Sequence, residues 1–368
     1  MRYYLIAGET SGDLHGSNLM KHILFNDPSA EFRFWGGDLM ASNGGTLVKH
    51  YKETAFMGIT DILINISKIL KNLKFCKADI EQYQPDALIL IDYPGFNMRI
   101  ASFAKAKGIK VHYYISPKVW AWNTKRTFKI KSDVDYLYSI LPFEIDFFKP
   151  FGIIPDYIGN PLCDAISEYP FNPSFTKDNN IQKPIIALLP GSRMSELKHV
   201  LPIMLSIVNS YPEYEFIIAG ANHISENEYQ QYIGNMPVKL IRGKTYDVLK
   251  NSHAALVCSG TATLETALLN CPQVVCYKFS KISFAIGKMV IKVKYISLVN
   301  LIMNRVVVKE LIQDELNTQN IQKELNKIIS GKMRNKQLED FIQLSEKVGK
   351  PGASERAAKL IVERCSLK

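Results

Sequence analysis

No CxxC pair and no metal-ligand spacing links Cys76, Cys163, Cys258, Cys271, Cys276 and Cys365, the six cysteines of this 368-residue chain. That excludes a zinc module and a disulfide scaffold, and cysteines inside apolar strand patterns read as buried thiols of a reducing compartment. No uninterrupted apolar stretch reaches the length of a membrane span; the best candidate, 282–303, is cut by Lys288, Lys292 and Lys294. Gly8-Glu9 closes the run Tyr3–Ala7 too early for a secretory signal. The dinucleotide fingerprint GxGxxG is missing as well. The glycines of Gly8–Gly16 fall four apart, and Asp38 follows a Gly36-Gly37 pair rather than closing a strand, which weighs against a nicotinamide dehydrogenase. There is no internal repeat and no low-complexity segment. These absences predict a soluble or peripheral cytoplasmic protein.

What is present is apolar and basic. A hydrophobic content of 47% over 368 residues suits two sizeable cores, and the formal charge of +10 points to an anionic partner: nucleic acid, acidic membrane or a phosphorylated substrate. Short apolar runs at 2–7, 32–36, 87–91 and 111–115 alternate with helical patterns, notably Asp61–Tyr83 and Asn97–Lys107. Such alternation predicts parallel βαβ units in a doubly wound sheet. It breaks over residues 155–183, rich in Pro, Asn and Asp, and restarts with strands at 185–189, 215–219, 238–241, 254–258 and 273–277. The fold class expected is α/β, two Rossmann-like doubly wound domains with an interdomain crevice. The expected division is a domain over 1–165, a linker over 166–184, a second domain over 185–340, and a helical segment over 341–368 packing back on the first. The chain from about Leu311 onward reads as helical.

Two glycine-led loops close buried strands of the second half. Ile185–Leu189 runs into Pro190-Gly191-Ser192-Arg193 with Glu196 following; Ala254–Cys258 runs into Ser259-Gly260-Thr261-Ala262-Thr263-Leu264-Glu265. Each aims backbone N–H groups and a helix N-terminus at one spot, a ready anion site, and Arg193 can fork onto phosphate oxygens. Either loop alone is an ordinary βα turn; the pair suits a diphosphate, with Glu265 for a ribose or as a surface acid at a helix start. In the first half Ser11 or Asp13 caps a helix, or Glu9 and Asp13 take sugar hydroxyls. Asp92 ends a strand where open α/β sheets hold ligands, as turn cap or general base. The aromatic run Tyr113–Trp122, with Lys125, Arg126, Lys129 and Lys131 behind it, is either a packed hinge or a sugar- or lipid-contacting wall. Phe56–Phe75 interleaves apolar residues with Lys68, Lys71 and Lys74, either as a sheet-packing helix or as a membrane-surface one. His15, His112 and His199 have no partners at metal-ligand spacing.

Taken together and in order, these segments resemble the lipid-A-disaccharide synthase family, inverting glycosyltransferases of the two-Rossmann GT-B fold. The resemblance runs nearly end to end, through Ala7–Asp13, Met57-Gly58-Ile59, Asp92–Asn97, Ser116–Trp122, Leu141–Glu144, Gly159-Asn160-Pro161, Leu189–Glu196, Ser259–Glu265, Tyr295–Asn300 and Val308–Gln313. It implies transfer of sugar from UDP-2,3-diacylglucosamine to 2,3-diacylglucosamine 1-phosphate, giving a β-1,6-linked disaccharide and UDP. It implies Asp92 and Arg193 as catalytic residues. Gly191, Ser192, Arg193, Glu196, Ser259, Gly260, Thr261, Thr263, Glu265, Asn300 and Glu310 would bind the donor. Gly8, Glu9, Ser11, Gly12, Asp13 and Asn97 would bind the acceptor. No metal and no cofactor is implied, and Asp133-Val134-Asp135 reads as the start of a strand. The partners implied are the two acylated sugars and the cytoplasmic face of the inner membrane, with a homodimer left open and no nucleic acid. Gly95 stands where the family is expected to carry an acid, and Val299 where it carries a proline.

Two other readings compete. A UDP-N-acetylglucosamine 2-epimerase shares the fold and the UDP site but needs no acyl-lipid surface. A nucleic-acid binder is suggested by charge alone, with its positive residues dispersed.

Overall fold

The computed structural model describes residues 1–53, 66–258, 260–278 and 293–366; the side chain of Trp122 is not described. Met57-Gly58-Ile59, the first half of the 282–303 stretch, Ser259 and the first half of the 56–75 stretch therefore lie outside the described residues. The chain divides into two compact units, Met1–Ala165 with Lys350–Lys368, and Ile166–Gly349.

The first unit is built on a parallel sheet of β1 (Arg2–Ala7), β2 (Glu31–Gly36), β3 (Thr46–His50), β4 (Ala87–Ile91), β5 (Lys110–Tyr114), β6 (Tyr136–Ser139) and β7 (Asp156–Tyr157). Its strand order is 3-2-1-4-5-6-7. β1 and β4 are apolar along almost their whole length because helices cover both faces; every residue of Ala87–Ile91 is buried. One face packs under the helix Thr10–Asn26 and the terminal helix Ala353–Ser366 through Leu19, Ile23, Ala357, Ala358 and Ile361. The other packs under Ile66–Tyr83 and Pro94–Ala106 through Leu73, Cys76, Ile80, Ile100 and Ala104.

The second unit repeats the plan with β8 (Ile185–Leu189), β9 (Glu215–Gly220), β10 (Val238–Arg242), β11 (Ser252–Cys258), β12 (Gln273–Tyr277) and β13 (Lys309–Ile312), in order 10-9-8-11-12-13. Both sheets are doubly wound, and each reverses its winding once, between β1 and β4 in one and between β8 and β11 in the other.

Several elements differ from the sequence expectation. Lys309–Ile312 is a strand beside β12, not the opening of a helical tail. The helix Gly331–Val348 runs past residue 340, and the chain passes into the first unit only at Lys350. The stretch read as a linker folds onto the second unit: Phe175 is fully buried against Ile185, Ala187 and Val248. Tyr169 Oη and Asn172 N donate to the two carboxylate oxygens of Asp247, each at 2.9 Å. β3 and β7 escaped the pattern because they are the two edges of the sheet and none of their residues is fully buried, while β6 follows directly on Asp133-Val134-Asp135, read as the start of a strand.

The return of the terminal helix hangs on Asp164, whose carboxylate accepts the N–H groups of Gly352 (2.6 Å), Ala353 (3.0 Å) and Ser354 (2.7 Å). Replacing Asp164 by Ala strips those amides of their acceptor and should lower unfolding free energy by about 1–3 kcal/mol. A urea midpoint unchanged from wild type would show that the carboxylate does not hold this helix.

Candidate functional site

In each unit the loops that carry the candidate residues leave the carboxyl ends of the two strands flanking the reversal, where an open α/β sheet leaves room for a ligand. In the first unit these are the turn after β1, at Gly8-Glu9, and the turn after β4, at Asp92-Tyr93. Ala7 and Ile91 are register partners, so the two turns start side by side.

Asp92 and Tyr93 both adopt left-handed backbone, at φ 44 and 49. Two consecutive non-glycine residues there are strained, and the neighbourhood is built to hold them. Asp92 O accepts from Asn97 Nδ2 at 2.8 Å and from Tyr113 Oη at 2.7 Å, while Asp92 N donates to Tyr114 O at 3.3 Å. The Tyr93 ring lies across Gly8, where a Cβ would meet its Cγ at 2.4 Å, so only glycine fits. Asp92 is half-buried as a residue, and protein surrounds its carboxyl deeply. That burial raises its pKa, opposed by the charge of Lys118 and the N–H of Tyr93. A carboxyl raised in this way is placed for proton transfer.

Around it the expected acceptor residues separate into two kinds. Glu9 is half-buried and Ser11 exposed at the start of the helix Thr10–Asn26. Burial, then the Glu9 charge, pushes the Tyr93 hydroxyl up to about 12. The Asp13 carboxylate accepts from Gly37 N (2.8 Å), Leu39 N (3.1 Å) and Met40 N (3.0 Å), and so fixes the turn after β2. Asn97 is fully buried beneath the Asp92 turn, its Nδ2 donating to Ile91 O and Asp92 O and its Oδ1 left without a hydrogen-bond partner among the described residues. Gly12 is buried and allows the helix to approach Ala7, whose Cβ would be 3.1 Å from an added one.

Among its described side chains, the aromatic run is largely packed inside the first unit. Tyr113 and Tyr114 are fully buried and Trp120 is 9% exposed, its Nε1 donating to Glu144 Oε1 at 3.1 Å. Glu144 Oε2 accepts from Ile140 N and Leu141 N at 3.2 and 3.1 Å, joining the 116–122 and 141–144 motifs in one knot.

In the second unit, Leu189 and Val257 are register partners at the reversal. Gly191 has φ +107, and a Cβ on it would stand 2.3 Å from Glu196 Oε2. Glu196 is buried, and that oxygen accepts the N–H groups of Ser192 (2.9 Å) and Arg193 (3.2 Å). These two amides, expected to face an anion, are held by Glu196, which braces the loop. The Ser192 side chain and the Arg193 guanidinium point outward on an exposed turn, Arg193 within 3.7 Å of Glu196.

Gly260 and Thr261 are exposed at the start of the helix Thr261–Leu268. Thr263 is fully buried and donates back to Gly260 O at 2.9 Å, so it too supports the loop. Glu265 is half-buried and accepts from Tyr246 Oη at 2.8 Å, and burial raises its pKa. Tyr246 was missed by the sequence reading, because it sits in the short helix Thr245–Lys250 and only tertiary contact reveals it.

Asn300 and Glu310 form a closed knot. Asn300 Oδ1 accepts from Val307 N and Val308 N at 2.7 and 3.0 Å, and its Nδ2 donates to Val308 O and Glu310 Oε1, both at 2.9 Å. Glu310 also accepts from Ile296 N and Ser297 N, at 3.0 and 2.9 Å. Asn300 is 1% exposed and supports this segment. Among the described residues no group of three or more His, Cys, Asp or Glu side chains could hold a metal ion.

Paired doubly wound units with loops of this kind define the GT-B architecture, common to glycosyltransferases and UDP-GlcNAc 2-epimerases. The UDP-GlcNAc 2-epimerase of Neisseria meningitidis, solved with UDP-GlcNAc bound, matches with a TM-score of 0.68, covering 99% of both chains at 14% identity. The calicheamicin glycosyltransferase matches at 0.62, covering 100% of this chain and 99% of its own at 12% identity. These likenesses carry the fold; sequence goes further. Residues 3–363 match the lipid-A-disaccharide synthetase family. The lipid-A-disaccharide synthase of Syntrophus aciditrophicus is 38% identical over 364 residues, 96% of this chain and 95% of that protein. That of Myxococcus xanthus is 36% identical over 372 residues, covering 98% and 97%. The chain belongs to the lipid-A-disaccharide synthase family, and it is a glycosyltransferase of lipid A synthesis. The epimerase alternative rests on shared fold alone.

The Glu144 knot has a measurable signature. Burial raises its pKa from 4.5 to about 7, against the donors of Trp120, Leu141 and Ile140. The folded state then holds a proton that the unfolded state has released, so this group's contribution to stability falls as pH rises from about 4.5 to about 7. At about 1.4 kcal/mol per pH unit the loss reaches about 3 kcal/mol, and Glu144→Gln should remove that slope. Parallel urea-unfolding profiles for the two proteins across this range would contradict it.

Proposed function

We propose that the chain joins UDP-2,3-diacylglucosamine to the 6-hydroxyl of 2,3-diacylglucosamine 1-phosphate, releasing UDP and the β-1,6-linked disaccharide 1-phosphate. The observation that carries this reading is Asp92: a half-buried residue on a strained turn at the sheet reversal, with a carboxyl of raised pKa. Its ionised form takes the proton from the acceptor 6-hydroxyl. The oxygen then attacks the anomeric carbon from the face opposite UDP, inverting it, and the electron pair of the breaking C–O bond goes to the diphosphate. Arg193, the Ser192 hydroxyl and the helix start at Gly260-Thr261 offset the charge that develops there. Glu265, oriented by Tyr246, takes the ribose. Glu9 and Ser11 line the acceptor side. Asp13, Asn97, Glu196, Thr263, Asn300 and Glu310 hold the loops that present these groups.

The acyl chains need a membrane surface, and the helix Ile66–Tyr83 supports one. Ile66 and Leu70, one turn apart on it, are 53 and 59% exposed, and Lys68, Lys71 and Lys74 of the same helix are exposed. An exposed apolar pair on a lysine-bearing helix suits the anionic cytoplasmic face of the inner membrane. Among the described residues no helix is long and apolar enough to cross a membrane.

UDP release from the donor, with and without acceptor, tests the reaction. Release should depend on acceptor and fall at least about a thousandfold in Asp92→Ala, with UDP affinity retained. In the wild type, kcat/KM should drop on the acid side along a limb lying above the ordinary carboxylate range, since Asp92 must be ionised and its pKa is raised. Full activity in Asp92→Ala would move the base elsewhere; release independent of acceptor would overturn the transferase reading.

A further inference from the structure

The proposed acceptor carries a phosphate monoester, yet none of the residues assigned to it so far is a cation. One cation stands at the right edge of the sheet. Lys118 follows β5 by four residues, and β5 neighbours β4, whose end carries Asp92; the bond from Asp92 N to Tyr114 O ties the two strand ends together. Lys118 is half-buried, and among the described residues its side chain makes no hydrogen bond and no ion pair. Its charge nonetheless reaches two groups, favouring the ionised form of Asp92 and the neutral form of His15. A lysine serving only to tune Asp92 would be expected to pair with it directly.

His15 supplies the second, independent observation. It is 6% exposed, and its Nδ1 has no hydrogen-bond partner. A buried polar atom left unpaired in a native fold costs about 1–3 kcal/mol and asks for a missing partner. Burial, chiefly, with Lys118 adding to it against the opposing charge of Asp164, lowers its pKa to about 4. The ring is therefore neutral near pH 7, and Nδ1 can donate or accept according to tautomer. Asp164, the acid nearest to it electrostatically, is already engaged by three backbone amides of the terminal helix.

We infer that Lys118, with the imidazole of His15 beside it, forms a phosphate site next to Asp92, and that its ligand is the anomeric phosphate of the acceptor sugar. The inference rests on the transferase reading above. An ammonium on a flexible four-carbon stem is a strong point charge for a phosphate oxygen. Bound there, the phosphate on C1 is anchored while the 6-hydroxyl, carried through C6 on C5 across the ring oxygen from C1, is presented to Asp92. Nothing covalent happens at this site; it orients the acceptor and selects phosphorylated over unphosphorylated sugar.

The test compares 2,3-diacylglucosamine 1-phosphate with the same sugar lacking its phosphate, in neutral detergent micelles, for wild type, Lys118→Met and Lys118→Arg. Wild type should prefer the phosphorylated acceptor in kcat/KM by about tenfold to a hundredfold, as one charge-assisted contact allows. Lys118→Met should bring that ratio to within about threefold of unity, chiefly through KM, and Lys118→Arg should restore most of it. UDP affinity common to all three proteins serves as the check on folding. If Lys118→Met does not fold, inorganic phosphate should inhibit wild type competitively against the phosphorylated acceptor, and absence of competition overturns the site. A preserved ratio in Lys118→Met, or an equal loss with both acceptors, also overturns it. So does a Lys118 effect seen only on vesicles of anionic phospholipid, which would assign the lysine to a lipid headgroup. No turnover of either acceptor by wild type would instead be the failure of the transferase reading itself.

Discussion

The first unit depends on holding two consecutive side-chain-bearing residues in left-handed backbone at the end of its central strand. Each such residue costs about 1–2 kcal/mol relative to ordinary backbone. Asn97 and Tyr113 meet that cost by donating to the same carbonyl, Asp92 O, and Gly8 admits the Tyr93 ring across it. Without the strain, the chain after β4 would continue smoothly into its helix and Asp92 would have no reason to face the sheet edge. Asn97 and Gly8 hold this turn, and both lie in segments that carry the family resemblance.

The second unit solves the same problem by different means. Its first loop is strained at Gly191 alone, and the bracing acid is Glu196 from the following helix. Its second loop is closed from beneath by buried Thr263, and the segment before β13 by the Asn300–Glu310 knot. In both units the groups left facing outward are few: a carboxylate, a guanidinium, hydroxyls and helix starts. Most of the polar residues that make the motifs recognisable are consumed in presenting those few.

This division explains what the sequence could and could not disclose. The doubly wound sheets were legible because strands buried on both faces leave continuous apolar runs such as Ala87–Ile91 and Ile185–Leu189. The loops were legible because glycine and proline mark where those runs stop. Which side chains face a ligand was not legible, since Asp13 and Glu9, or Thr261 and Thr263, differ only in the direction the local turn gives them. Asp13 turns inward to three amides of another loop, a partnership spanning more than twenty residues that no local pattern records. The short strand Lys309–Ile312 escaped for a similar reason, with only Leu311 fully inside the sheet. Tyr246 and Lys118 are set by tertiary neighbours on other elements, so their placement had to come from the folded chain.

The account turns on a single inverting transfer with Asp92 as the base. The measurement that bears on it most directly is the proton NMR spectrum of the purified product made from donor and phosphorylated acceptor. The account predicts a disaccharide 1-phosphate whose new anomeric proton shows the large coupling of a β-linkage, formed from an α-linked donor. A small coupling would mean retention, and a covalent or front-face route that Asp92 as base does not describe. Recovery of the donor sugar epimerised at its second carbon, with no disaccharide, would contradict the account outright.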